Sequence, residues 1–182
     1  MNRSFAKIAI LAIAAVSLAA CSATRTQKTA GEQVDDSVLT GKVKSALVAD
    51  PDTKARQIDV ETFRGTVQLN GFVDSANAKA AAGRVARSVE GVQRVENNLS
   101  VQESSRSAGE VIDDSMITAK VKAALIADPA VKAHEVNVET RDGVVQLSGF
   151  VDNASAKSVA AEVANRVNGV KEVRNELQVK QR

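Results

Sequence analysis

Val67-Gln68-Leu69-Asn70-Gly71-Phe72-Val73-Asp74 returns 78 residues later as Val145-Gln146-Leu147-Ser148-Gly149-Phe150-Val151-Asp152. On either side of this pair, residues 34–102 lie over 112–180 without a gap, and 38 of 69 positions are identical. Val34-Asp35-Asp36-Ser37 meets Ile112-Asp113-Asp114-Ser115, and Ala49-Asp50-Pro51 meets Ala127-Asp128-Pro129. A period of this kind means two tandem copies of one small domain, 34–102 and 112–180, with the polar stretch 103–111 as linker. Each copy is close to the lower size limit for a self-sufficient core, so contact between the two adds stability.

Within a copy the patterning reads helix, strand, strand, helix, strand. Leu39, Val43, Ala46 and Leu47 recur at helical spacing, Asp35-Asp36-Ser37 offers capping oxygens ahead of them, and Pro51 stops the run. Ile58 and Val60 alternate into a strand that turns at Arg64-Gly65, or at Asp142-Gly143 in the second copy. Asp-Gly between alternating runs is a strong hairpin signal. Gly71 and Gly149 interrupt the returning strand and mark a bulge or a close backbone approach. Ala78, Ala82, Val85 and Val89 form the stripe of a second helix that ends at Gly91, and Val95, Leu99 and Val101 follow as a last strand. A strand reached through a helical crossover pairs in parallel. The expected fold is therefore α+β: two αββαβ units, each a three-stranded mixed sheet with two helices packed on one face.

The N-terminal segment is of another kind. Arg3 and Lys7 precede an uncharged run from Ile8 to Leu18, too short to span a bilayer, and Leu18-Ala19-Ala20 leads into Cys21, the only cysteine. This pattern reads as a signal peptide, 1–20, ending in a lipobox. Cys21 would then carry diacylglycerol and an N-acyl chain, and 21–33 would be a lipidated tether reaching about 20 Å. By the usual sorting logic of Gram-negative lipoproteins, Ser22 after a lipidated Cys21 would imply export to the outer membrane, on the side facing the periplasm. Removing 1–20 leaves 22 basic and 22 acidic residues, so the whole-chain net charge of +2 does not argue for nucleic acid.

Composition excludes several chemistries. One His and one Cys cannot build a multi-histidine metal site or an intramolecular disulfide, and four Phe with no Trp or Tyr leave no stacking platform for nucleic-acid bases. Basic and acidic residues number nine and nine in 34–102, and nine and ten in 112–180, so there is no basic stripe. His134 has Arg56 as its counterpart and no nucleophile beside it in sequence; it reads as a surface residue. The Asp pairs read as helix-start residues favoured by the dipole rather than as catalytic carboxylates. Neither a catalytic residue nor a bound cofactor or metal is expected.

One difference between the copies points to a surface. Opposite the core stripe Ile117, Val121, Ala124 and Leu125, the second copy carries Met116, Ala119, Ala123 and Ile126, flanked by Lys120 and Lys122. The first copy has Val38, Gly41, Ser45 and Val48 there, with Lys42 and Lys44. An apolar face bordered by cations suits an anionic membrane: the apolar groups enter the headgroup layer and the lysines meet phosphates. The competing reading buries Met116 and Ile126 against the other domain.

The order of elements, Gly65, Gly71 and Gly91, and the segment Val89-Glu90-Gly91-Val92-Gln93-Arg94-Val95-Glu96-Asn97-Asn98-Leu99 resemble the BON domain; the second copy repeats the segment from Val167 to Leu177. Behind a lipobox, two such units resemble the dual-BON outer-membrane lipoproteins. That resemblance implies a non-enzymatic envelope protein that binds anionic phospholipid, with lipid contact at the first helix of the second domain. A periplasmic protein-binding module or stress-induced chaperone, using the same face on other envelope proteins, is the alternative.

Overall fold

The computed structural model describes residues 30–53, 58–102 and 108–180. The expected signal segment, Cys21, most of the tether and of the linker, and Arg56 lie outside the described residues. The first copy runs α1 (Ala30–Ala49), β1 (Ile58–Phe63), β2 (Thr66–Val73), α2 (Ala76–Ser88), β3 (Arg94–Asn97) and β4 (Ser100–Val101). The second runs α3 (Ala108–Ala127), a 3-10 turn at Ala133–Glu135, β5 (Val136–Arg141), β6 (Val144–Val151), α4 (Ala154–Asn165), β7 (Glu172–Asn175) and β8 (Gln178–Val179). The fold is α+β. β1 is antiparallel to β2, while β3 and β4 are both parallel to it, so the last strand expected from sequence is broken into two pieces. The second sheet repeats this arrangement.

Helical periodicity places the core as expected. Leu39, Val43 and Leu47 of α1 pack with Val60, Val67 and Leu69 of the sheet and with Ala78, Ala82 and Ala86 of α2. Alanines at the α2 contact let the helix lie close to the strands. Ile117, Val121, Leu125, Val138, Leu147, Ala160 and Leu177 do the same in the second copy.

The Asp pairs do not cap the helices. α1 and α3 begin at Ala30 and Ala108, upstream of them. Asp36 and Asp114 are instead buried within the helices, at 6% and 5% exposure, and clasp the hairpin turns. Asp36 accepts from the amides of Arg64 (2.7 Å) and Gly65 (3.0 Å), and Asp114 from those of Asp142 (2.8 Å) and Gly143 (2.9 Å). Both residues of each turn have positive φ, as a two-residue hairpin turn requires, and the carboxylate takes up the two N–H groups this leaves outside the ladder.

The face of each sheet turned away from its helices is polar and buried. Gln68 and Asn70 are wholly buried, and Gln146 and Ser148 nearly so, because the two sheets pack on each other there. β2 and β6 cross at the interior glycines. The amide of Gly71 donates to Oε1 of Gln146 (2.6 Å), whose Nε2 donates to the carbonyl of Asn98 (2.8 Å) in the gap between β3 and β4. Gln68 makes the reciprocal pair with the amide of Gly149 (2.9 Å) and the carbonyl of Glu176 (2.7 Å). Asn137 donates to Asp59 across the same seam. Phe63 stacks on Phe150 with ring centroids 5.2 Å apart. At the place equivalent to Phe63, Arg141 is 1% exposed, 6.0 Å from the Phe72 centroid and 3.8 Å from Asp74. The molecule is thus four layers deep: helices, sheet, sheet, helices.

Candidate functional site

α3 is held in one rotational setting by three kinds of contact. Ile117, Val121 and Leu125 are inserted against the sheet, Thr118 donates to Thr140 of β5 (2.7 Å), and Asp114 grips the hairpin turn. The remaining face therefore points away from the sheet. On it Met116 is 52% and Ile126 74% exposed, and Ala119, Lys120, Lys122 and Ala123 are exposed with them. The six residues singled out from the sequence are brought together on one surface. The competing expectation, burial of Met116 and Ile126 against the other domain, is not met, because the first domain packs on the opposite side of the second sheet. Large aliphatic side chains at such exposure, three turns apart on one helix with alanines between them, form a continuous apolar strip rather than scattered contacts.

Met116 and Lys120 also edge a cleft of about 450 Å³ between the first half of α3, the Asp142-Gly143 turn and the loop at Gly169. Asp113, Lys171 and Glu110 give it both signs of charge. The first domain has a matching cleft of about 460 Å³ with Val38 and Lys42 on its edge. The buried carboxylates at their floors, Asp114 and Asp36, are already engaged by backbone amides.

His134 lies in the 3-10 turn with its side chain 79% exposed, 3.9 Å from Glu135. Among the described residues no group of three or more His, Cys, Asp or Glu is placed to hold a metal ion, and no helix is long and apolar enough to cross a membrane.

Two charged clusters escaped the sequence reading. Lys132 and Lys180 flank Asp152 at 2.6 and 2.7 Å, and Lys180 also reaches Glu135 at 2.7 Å, tying the 3-10 turn to the ends of β6 and β8. The hydrogen bonds from Lys132 and Lys180 hold the Asp152 carboxyl below its usual value. In the seam, burial first and then the charge of Asp59 push the Glu139 carboxyl up, with Lys122 acting the other way. Lys132 and Lys180 lie too far from Asp152 in sequence to announce themselves as its partners.

The model of the BON domain matches residues 35–103 and 113–181. The chain belongs to the BON family. Osmotically-inducible protein Y of Escherichia coli is 42% identical over 151 residues, covering 82% of this chain and 75% of that protein. Outer membrane lipoprotein DolP of Haemophilus influenzae is 36% identical over 147 residues, covering 80% and 75%. The 21 kDa hemolysin of Actinobacillus pleuropneumoniae is 38% identical over 147 residues, with the same coverage. Both BON units of this chain fall within the paired, helix-outward architecture described above, and the exposed strip belongs to the first helix of the second unit.

Proposed function

We propose that this BON protein is a non-enzymatic lipoprotein of the outer membrane that faces the periplasm and docks on anionic phospholipid through α3, in support of envelope integrity. The observation that carries the reading is the strip Met116, Ala119, Ala123 and Ile126, exposed between Lys120 and Lys122 and left uncovered by the other domain. An aliphatic side chain that becomes fully buried contributes about 1.5–3 kcal/mol, and each lysine near an anionic surface about 1 kcal/mol. Together these make a reversible contact rather than an anchor. The anchor is the acylated Cys21; its lipobox supports this, as does the relative named outer membrane lipoprotein. Two or more acyl chains hold stably where one does not.

The test separates the two parts. Cys21→Ala should move the protein to the soluble periplasmic fraction, and the released chain should still sediment with vesicles containing phosphatidylglycerol but not with pure phosphatidylcholine. Salt-resistant membrane association of Cys21→Ala would overturn the anchor. Equal sedimentation with both vesicle types would overturn anionic recognition. Capture of another envelope protein by the same face, without lipid binding, would favour the protein-binding alternative.

A further inference from the structure

The repeat gives α1 an outward strip in the place equivalent to that of α3, in the opposite outer layer. Val38 is 53% and Val48 75% exposed, against 52% and 74% for Met116 and Ile126. Lys42 and Lys44 flank the strip as Lys120 and Lys122 do, and both are exposed. Leu39, Val43 and Leu47 hold the buried side of α1 against its sheet, so the strip faces away from that sheet. The two sheets meet through their other faces, by way of Gln68, Gly71, Gln146 and Gly149. Two outward normals on either side of such a stack oppose each other. A flat bilayer lying against α3 therefore leaves α1 facing away from it.

We propose that the folded body bridges two anionic lipid surfaces, with α3 on one and α1 on the other. The proposal rests on the lipid reading of α3 and adds a second contact. Charge favours the same occupant on both sides: Lys42 and Lys44 at the rim of an aliphatic strip match an anionic headgroup layer. They also repel the equally cationic α3 face of a second copy. The α1 strip is the weaker of the two, since Gly41 and Ser45 stand where α3 has Ala119 and Ala123.

The test uses the Cys21→Ala chain, which has no acyl anchor, with vesicles containing phosphatidylglycerol. Sedimentation reports binding to one surface. Energy transfer between vesicle populations carrying donor and acceptor dyes reports bridging. The expected result is sedimentation and clustering together, with clustering lost and sedimentation retained when Val38→Glu and Val48→Glu are combined. Both side chains are exposed, and the unfolding transition of the variant verifies that it folds. Sedimentation without clustering by the unmodified body would overturn the bridge and leave the α3 reading standing. No sedimentation at all would overturn both. Unchanged clustering in the double variant would remove α1 from the bridge. Loss of sedimentation as complete as that caused by Met116→Glu would place both strips on one bilayer and overturn the opposed arrangement.

Discussion

Gln68 and Gln146, equivalent residues of the two repeats, each complete the broken sheet of the other domain. The side-chain amide of Gln146 bridges the amide of Gly71 in β2 and the carbonyl of Asn98 in the break between β3 and β4, and Gln68 likewise bridges Gly149 in β6 and Glu176 in the break between β7 and β8. The gap in one domain is thus filled by the neighbour. Burying backbone polar groups at a strand break is tolerable only when something satisfies them, and here that something is the other copy.

Gln146→Ala leaves a buried N–H and a carbonyl without partners. The expected cost is about 2–6 kcal/mol, at roughly 1–3 kcal/mol for each of the two unsatisfied groups, read as a lower urea midpoint. Loss below 0.5 kcal/mol, by the ordinary surface standard, would mean the seam is not closed in solution.

Asp114→Ala removes both acceptors of the hairpin turn and should cost about 3–6 kcal/mol, since bonds to a charged acceptor contribute about 1.5–3 kcal/mol each. Asp113→Ala, exposed beside it, should stay within about 0.5 kcal/mol. Equal effects at the two positions, in the same unfolding experiment, would contradict the clasp.

Glycine substitutions should diverge in sign. A Cβ on Gly149 would sit 2.2 Å from the carbonyl oxygen of Glu135, at φ +119°, so Gly149→Ala should be severely destabilising. Gly41 has nothing within 4 Å of the same position and lies mid-helix, so Gly41→Ala should stabilise by about 0.5–1 kcal/mol. Thermal unfolding of the two variants measures both.

The legible and illegible parts of this fold divide along physical lines. Leu39, Val43 and Leu47 announce α1 because a buried helix face must repeat with the helical turn, and Asp142-Gly143 announces the hairpin because few residues accept two positive φ values. Gln68 and Asn70 alternate with Val67 and Leu69 as a solvent-facing strand would, so nothing in their identity distinguishes water from a second polar sheet. Gly71 and Gly149 did signal a close approach, though not what approaches. Asp36 and Asp114 misled for a related reason: an aspartate near a helix start serves the helix or a distant turn with the same two oxygens. The strip from Met116 to Ile126 was fully legible as a face. Its exposure was not, since burial by the other domain depends on which side of the sheet that domain takes.

The seam also predicts a pH response. Glu139 has its carboxyl raised above 4.5 by burial and by Asp59, so the folded state binds its proton more tightly than the unfolded chain does. Its contribution is fully favourable below pH about 4.5 and is lost as pH rises through the higher folded value. Glu139→Gln should therefore raise the melting temperature at pH 7 and converge with wild type towards pH 4. A gain at pH 4 as large as at pH 7 would contradict this account.

The most direct test is vesicle binding by Met116→Glu in the Cys21→Ala chain. The substitution puts a charge in the headgroup layer and subtracts up to about 1.5–3 kcal/mol of apolar contact, an order of magnitude or more in affinity. Met116 is half exposed on the outward face of α3, so the unfolding midpoint should hold while sedimentation with anionic vesicles falls sharply. Binding equal to wild type by a folded Met116→Glu protein would contradict the assignment of α3 as the lipid-facing helix.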